Sequence, residues 1–369
     1  MIMRPIVLLL LASQLMLTGC ISSPEKSIYW GAWINGDTYG LDDAPWDAQA
    51  IDTFESHTGK KLSILHWGQA WWTCSPTCRY QSFQAQVAQY DAARQRGIIP
   101  LVDWASWDFN AEPRDQQPNF TLSKIIQGDH DRYVRQWATD AKNWGHPFFL
   151  RFNWEMNGDW FPWSEAKNHN DTGQFILAWR HVHDIFAKVG ATNVTWVWCP
   201  NVEYPGSLPL DSLYPGDAYV DWVCMDGYNW GPNQGRQAGW QSFQEVFGPT
   251  YDRVSQISPN KPMMIAETSS TETSGSKADW IADALTNQLP VHFPKVKAFV
   301  WFNWNADGMD WVIESSQSAQ AAFAKGIASA YYAQSQFADL SASPIPPLDQ
   351  LSRFCLLGRC AFLSETPTP

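Results

Sequence analysis

Eight short apolar runs constrain this chain more than any other feature of its sequence. They are Ile28 to Ile34, Leu62 to Trp67, Ile98 to Asp103, Phe148 to Asn153, Val194 to Trp198, Trp222 to Met225, Met263 to Ala266 and Ala298 to Phe302. Segments with helical spacing alternate with them: Asp47 to Thr58, Gln81 to Arg96, Asp129 to Trp144, Gly173 to Val189, Trp240 to Ile257, Lys277 to Gln288 and Ser316 to Tyr332. Only the Pro-rich passage between the fifth and sixth runs predicts no more than a short helix. Continuous apolar runs of this length belong to strands buried on both faces, and strands alternating with helices belong to a parallel sheet. Closing eight such units takes ~250 residues plus insertions, and the chain has 369. The expected fold is α/β, a (β/α)8 barrel over residues 27–335. An open doubly wound sheet is disfavoured, because no Gly-rich phosphate-binding turn follows the first run. Residues 336–369 are Pro-rich and are expected to form an extended tail.

Residues 1–19 read as a targeting segment that takes no part in the fold. Arg4 precedes the apolar stretch Ile6 to Leu17, which is shorter than the ~20 residues of a spanning helix. The stretch ends in Leu17-Thr18-Gly19-Cys20, which resembles the bacterial lipoprotein signal. That resemblance implies export, cleavage before Cys20, lipidation of Cys20 and a membrane contact through the lipid alone, with residues 20–26 as a linker. Six cysteines then remain, an even number for an exported chain. Cys74 and Cys78 bracket a tight loop, and Cys355 and Cys360 bracket another, so each pair is a disulfide candidate. Cys199 and Cys224 sit near strand ends and are read either as a cross-strand pair or as buried thiols. No Cys or His pair has zinc-site spacing, so no metal and no cofactor is expected.

The chain carries 23 Trp and a net charge of −12. No basic stripe is present, which excludes nucleic acid as a partner and disfavours a polyanionic substrate. A neutral polymer suits this charge, acted on by a monomer. In a barrel of this kind the site is built at the C-terminal ends of the strands. Those ends carry His66 and Trp67, Asp103 and Trp104, Arg151 with Asn153 and Glu155, Cys199-Pro200-Asn201, Asp226 with Tyr228 and Asn229, Glu267, and Trp301 with Asn303 and Trp304. The richest stretch is Pro147 to Trp163, PFFLRFNWEMNGDWFPW, where an apolar strand runs into one carboxylate among amides, an Arg and indoles. Such a composition fits a cleft that grips a flat, hydroxylated ligand, with Trp154, Asn157 and Trp160 beside Glu155. Trp71, Trp72, Trp107 and Trp163 divide evenly between sugar platforms and core. Asp159, like Asn157, is read also as a residue that only shapes the loop after the fourth strand, and Asp307, Asp310 and Glu314 divide between a subsite and solvent.

Glu155 follows the fourth strand and Glu267 ends the seventh, so a closed barrel sets them across its mouth. Glycoside hydrolysis needs two such carboxyls, one to protonate the leaving oxygen and one to attack or to activate water. The indoles around Glu155 are expected to raise its pKa. Tyr228 and Arg151 are expected to hold Glu267 ionised.

RFNWEMNGDWFPW resembles the acid/base segment of glycoside hydrolase family 26, and PMMIAET its nucleophile strand. WVWCPN, DWVCMDGYN and FNWNADGMDWVIESS resemble its fifth, sixth and eighth strand segments. The resemblance runs from about Gly31 to Ser316. It implies a barrel that acts with retention on a β-linked neutral polysaccharide, mannan above all. It implies Glu155 as acid/base, Glu267 as nucleophile, Tyr228 as the nucleophile's partner, and Trp301 or Trp304 as a stacking platform. The family's His before the acid/base is Trp154 here, which keeps mixed-linkage β-glucan and xylan open as substrates. A non-catalytic glycan-binding lipoprotein on the same barrel is the alternative.

Overall fold

The computed structural model describes residues 27–364 except 75, 233–238, 339, 357 and 358; for 351–364 it describes the backbone alone. The targeting segment and Cys20 lie outside the described residues. No helix among the described residues is long and apolar enough to cross a membrane.

Eight parallel strands close into a barrel: β1 (Tyr29–Ile34), β2 (Ile64–Thr73), β3 (Ile99–Asp108), β4 (Phe148–Phe152), β5 (Val194–Trp198), β6 (Trp222–Asn229), β7 (Met263–Ser270) and β8 (Val296–Asn303). Each pairs with its sequence neighbour, and β1 pairs with both β2 and β8 to complete the ring. The outer layer holds α1 (Ala48–Thr58), α2 (Val87–Gln95), α3 (Asp131–Trp144), α4 (Gln174–Val189), α5 (Phe243–Ile257), α6 (Lys277–Asp283) and α7 (Gln317–Ile327). α3 and α4 end where expected, at Gly145 and Gly190, both at φ +77° in the left-handed region that only Gly adopts without strain. Between β5 and β6 the crossover is made of short turns, Leu210–Leu213 and Asp217–Tyr219. α6 continues into wide π turns over Ala284–His292, where Pro290 supplies no N–H to the helical ladder.

Strand alternation sorts the side chains into two cores. One parity points into the barrel: Tyr29, Ile64, Ile99, Leu101, Phe149, Val197, Cys199, Trp222, Cys224, Met264, Ala266, Ala298 and Val300 form one buried cluster. The opposite parity points at the helices and includes Trp30, Leu65, Trp67, Val102, Trp104, Leu150, Trp196, Trp198, Met225 and Trp301.

The C-terminal segment differs from the expected extended tail. Phe337, Leu340 and Ile345 are buried in the interior cluster and close the N-terminal end of the barrel. The Phe337 ring meets Tyr29 edge-on at 5.1 Å. Trp222 Nε1 donates to the Ile345 carbonyl at 2.7 Å, Tyr29 OH to the Pro346 carbonyl at 3.0 Å, and Ile345 N to Thr195 Oγ1 at 2.9 Å. Leu351–Leu356 and Arg359–Ser364 then pair as an antiparallel hairpin with Cys355 opposite Cys360. The side chains of that candidate pair lie outside the described residues. Of the other cysteines, Cys74–Cys78 is a disulfide as expected, and Cys199–Cys224 takes the bonded of its two readings.

Candidate active site

Arg151 is the centre of the site. It follows Phe149 on the inward parity of β4, is fully buried, and reaches carboxylates from three other strands. Its Nη2 donates to Asp103 Oδ2 at 3.0 Å, its Nη1 to Asp226 Oδ1 at 2.9 Å, and its Nη2 also to Glu267 Oε1. His66 Nε2 approaches Asp103 Oδ1 at 2.8 Å, and Arg151 Nε approaches the same oxygen at 2.7 Å. Neither contact has the geometry of an aligned hydrogen bond. Burial by itself would lower the guanidinium, but Asp103, Asp226 and Glu267 outweigh it and hold Arg151 above its usual range. Asp226 is pushed well up, first by burial and then by Glu267, Glu155 and Asp103, against the opposing pull of Arg151.

Glu267 is fixed from both oxygens. Arg151 takes Oε1, and Tyr228 OH donates to Oε2 at 2.6 Å. Burial and the neighbouring Glu267 raise the Tyr228 phenol well above its ordinary value, so it stays a donor. Both partners expected from the sequence are therefore in place.

Glu155 is fixed differently. Asn201 Nδ2 donates to Oε1 at 2.7 Å and Trp160 Nε1 to Oε2 at 2.8 Å. Its backbone sits at φ +51°, held by its N–H on the Cys199 carbonyl at 2.7 Å. Asn153 sits at φ +46°, its amide clasped to Ser106. Two residues in this region cost of order 1–3 kcal/mol each, and the surrounding clasps maintain them. Gly158 explains the EMNG sequence: a Cβ there would lie 2.4 Å from the Trp160 ring, which must press on the backbone to reach Glu155. The Glu155 pKa is pushed up to about 7, by burial first and the Glu267 charge second; Asn201, Arg151 and Trp160 pull it down. The upward shift is as expected, but its cause is burial, since the indole N–H acts in the opposite sense. One carboxylate oxygen from each of Glu155, Asp226 and Glu267 lies within 4.8 Å of the others.

Three expected substrate contacts are corrected by strand parity. Trp67, Trp104 and Trp301 face the helices. Trp67 Nε1 donates to Gln86, Trp104 Nε1 to the Tyr133 hydroxyl and Trp301 Nε1 to the Trp311 carbonyl, and all three are at most 1% exposed. Each follows or precedes an inward residue by one position, so the strand end looked aromatic while the indole pointed away. Asn157 is also placed otherwise. It clasps the backbone of Asn201 through both amide atoms at 2.9 Å and so acts on Glu155 through Asn201. His66 and Asp103 lie buried under Arg151 and Trp33 and form the floor. Trp71 and Trp163 belong to the core. Asp310 ties Thr271 and the Glu272 N–H, and Glu314 ties Tyr39, His57 and Asn303.

Two aromatic walls flank the carboxylates. On one side Trp304, half-buried, lies parallel to Trp33 at 6.2 Å, next to Phe302, Tyr228 and Trp230. On the other, Trp154 sits 5.2 Å above the Arg151 guanidinium and meets Phe161 edge-on at 5.2 Å. Trp160 stacks on Tyr204 at 5.7 Å. Asn201 was expected at a strand end of the mouth without a stated role, and Trp33 and Tyr204 were not among the expected site residues. Trp33 shares the inward parity of Tyr29, which would have identified it.

Two facing carboxylates at the C-terminal mouth of a closed eight-stranded barrel are the arrangement that glycoside hydrolysis requires. Residues 100–264 match the sequence model of Glycosyl hydrolase family 26. It is 37% identical over 302 residues to Endoglucanase H of Acetivibrio thermocellus, an alignment covering 80% of this chain and 30% of that one. It is 25% identical over 196 residues to a mannan endo-1,4-beta-mannosidase of Bacillus subtilis, covering 51% of this chain and 46% of the other. The catalytic domain of a Bacillus sp. JAMB-750 endo-beta-1,4-mannanase has the same fold, with a TM-score of 0.62 at 17% identity over 86% of this chain and 89% of that one. The chain spans between 30% and 46% of the length of the curated relatives it matches.

Proposed function

We propose that this chain is an endo-acting, retaining glycoside hydrolase of β-linked neutral polysaccharide, with mannan as the first substrate reading. The observation that carries it is the pair Glu155 and Glu267, with oxygens within 4.8 Å and unlike surroundings. Retaining pairs lie ~5–5.5 Å apart and inverting pairs ~6.5–9.5 Å, the wider gap holding a water. Glu267, oriented by Arg151 and Tyr228, attacks the anomeric carbon as the glycosidic bond breaks. Glu155, whose proton is retained up to about pH 7, gives that proton to the departing oxygen. As a carboxylate it then takes a proton from water, and that water's oxygen displaces Glu267 from the sugar with overall retention. Trp304 and Trp160 offer ring faces on which sugars stack.

A second substrate reading, β-glucan, is favoured by Trp154 standing where the family pattern has His, together with 37% identity to a protein named an endoglucanase. Export with a lipid on Cys20 belongs to the same proposal and rests on the Leu-Thr-Gly-Cys motif. It predicts that Cys20→Ser releases the protein from the membrane fraction.

The test is reducing-sugar release from mannan, glucomannan, mixed-linkage glucan and xylan by wild type, Glu155→Ala and Glu267→Ala. Release by wild type that both variants abolish supports the pair and names the sugar. Retention on one polysaccharide in an affinity gel without release replaces the hydrolase with a glycan-binding barrel.

A further inference from the structure

We propose that the buried disulfide Cys199–Cys224 is a positioning element of the reaction, fixing the acid Glu155 over the nucleophile Glu267. The inference rests on the roles proposed above for those two residues.

The bond stands where the barrel ladder is weakest. β5 and β6 share two register pairs, Val197 with Trp222 and Trp198 with Val223. Cys199 and Cys224 occupy the next register step and are bonded to each other. Immediately above them the two chains re-engage: Asp226 N donates to the Pro200 carbonyl at 3.0 Å and Val202 N to the Asp226 carbonyl at 2.7 Å. The covalent link thus replaces backbone pairing at the level where the site begins.

Both carbons of the link lead to Glu155. The Cys199 carbonyl accepts the Glu155 N–H, and that bond holds Glu155 in its left-handed backbone conformation. Two residues on, Asn201 holds the Glu155 carboxyl, and its own place is set by the bridge to Asp226, two residues after Cys224. The sulfur also packs on the cluster beneath. Cys199 Sγ lies 3.3 Å from Asp226 Oδ1 and 3.7 Å from Arg151 Nη1. A disulfide sulfur has no proton to give Asp226, so it fills this space without competing for the Arg151 hydrogen bond. A thiol pair would bring two weak donors to the same carboxylate and remove the covalent tie between β5 and β6.

The alternative is a bond that only adds stability. Leaving-group dependence separates the two, because a dinitrophenolate departs without a proton and a sugar hydroxyl does not. The variants are Cys199→Ala/Cys224→Ala, the exposed-loop control Cys74→Ala/Cys78→Ala, and Glu155→Ala. Each is assayed on the polysaccharide cleaved by wild type and on the matching dinitrophenyl β-glycoside, below its melting temperature. The expected result is a loss of at least tenfold in kcat/KM on polysaccharide, a loss under threefold in kcat/KM for release of dinitrophenolate, which reports formation of the glycosyl-enzyme alone, and no change in the control. Equal losses on both substrates, or no loss on either, overturn the proposal. Cys199→Val/Cys224→Ala, which refills the volume, is read by the same criteria where the double-alanine variant does not fold. Glu155→Ala guards the underlying reading: if its kcat/KM falls equally on both substrates, the acid assignment itself is wrong, whatever the cysteine variants do.

Discussion

Asn201 and Trp160 hold opposite oxygens of Glu155, at 2.7 and 2.8 Å, so this carboxyl is oriented before any substrate arrives. Both are donors, and donors favour the ionised form. Burial nevertheless wins and keeps the group near neutrality. Asn201→Ala removes one donor worth about 1.5–3 kcal/mol to a charged partner. We expect the alkaline limb of kcat/KM to move up by about one pH unit while kcat falls at least tenfold. A pH–rate profile of wild type and variant checks both.

The raised pKa of Glu155 sets two further pH dependences. Activity falls as pH rises through about 7, where the acid loses its proton. Stability moves the same way. The folded state binds the proton more tightly than the unfolded state, so the contribution is fully present below about 4.5 and is lost as pH rises through about 7. The loss is about 3 kcal/mol at most. Glu155→Gln, which cannot ionise, is therefore expected to be the more stable protein above pH 7 and no more stable below pH 4.5. Urea denaturation of both at pH 4, 6 and 8 tests this.

Arg151 is a buried cation among four acids, and its removal leaves them uncompensated. Arg151→Met is expected to destabilise the fold by about 3–5 kcal/mol and to abolish hydrolysis. Arg151→Lys keeps the charge but not the fork that joins Asp103, Asp226 and Glu267. It should recover part of the stability and little of the activity. Chemical denaturation and initial rates, read together, separate the two effects.

Trp301 and Trp304 are three residues apart and differ in kind. Trp301→Ala empties a site in the helix-facing core and is expected to cost about 3–5 kcal/mol with KM unchanged. Trp304→Ala removes a half-buried ring face and is expected to leave the melting temperature within a few degrees while raising KM about three- to tenfold. A matched pair of melts and Michaelis curves decides it.

Phe337 lies far from the carboxylates, at the other end of the barrel. Phe337→Ala is expected to cost about 3–5 kcal/mol with kcat and KM unchanged at temperatures where both proteins are folded. A loss of activity in the folded variant would show that the lower plug communicates with the site.

Much of this molecule is legible in its sequence, and the limits have physical causes. The eight runs locate the strands because burial on both faces makes each run continuously apolar. Glu155, Glu267, Arg151 and Tyr228 are recognisable because polar groups at buried strand ends need a use. Alternation along the strand carries the missing signal: Tyr29, His66, Asp103, Arg151 and Val300 set the inward parity, and counting from them sends Trp67, Trp104 and Trp301 outward and Trp33 inward. Asn201 is harder to foresee. Its contact with Glu155 depends on the left-handed turn at Glu155 and the clasp from Asn157, both set by tertiary structure. The segment around Phe337 and Ile345 reads as a tail because Pro-rich, aperiodic sequence gives no sign of what it packs against.

That lower segment also imposes an order in time. β8 can join β1 as soon as residue 303 has been made, yet the ring then stands open beneath, with the Trp222 indole lacking its acceptor until Ile345 arrives. The first strand is completed by a residue more than three hundred positions later, since Tyr29 finds its acceptor at Pro346. A chain emerging vectorially, from a ribosome or an export channel, therefore holds an assembled but unsealed ring until residues 337–346 arrive.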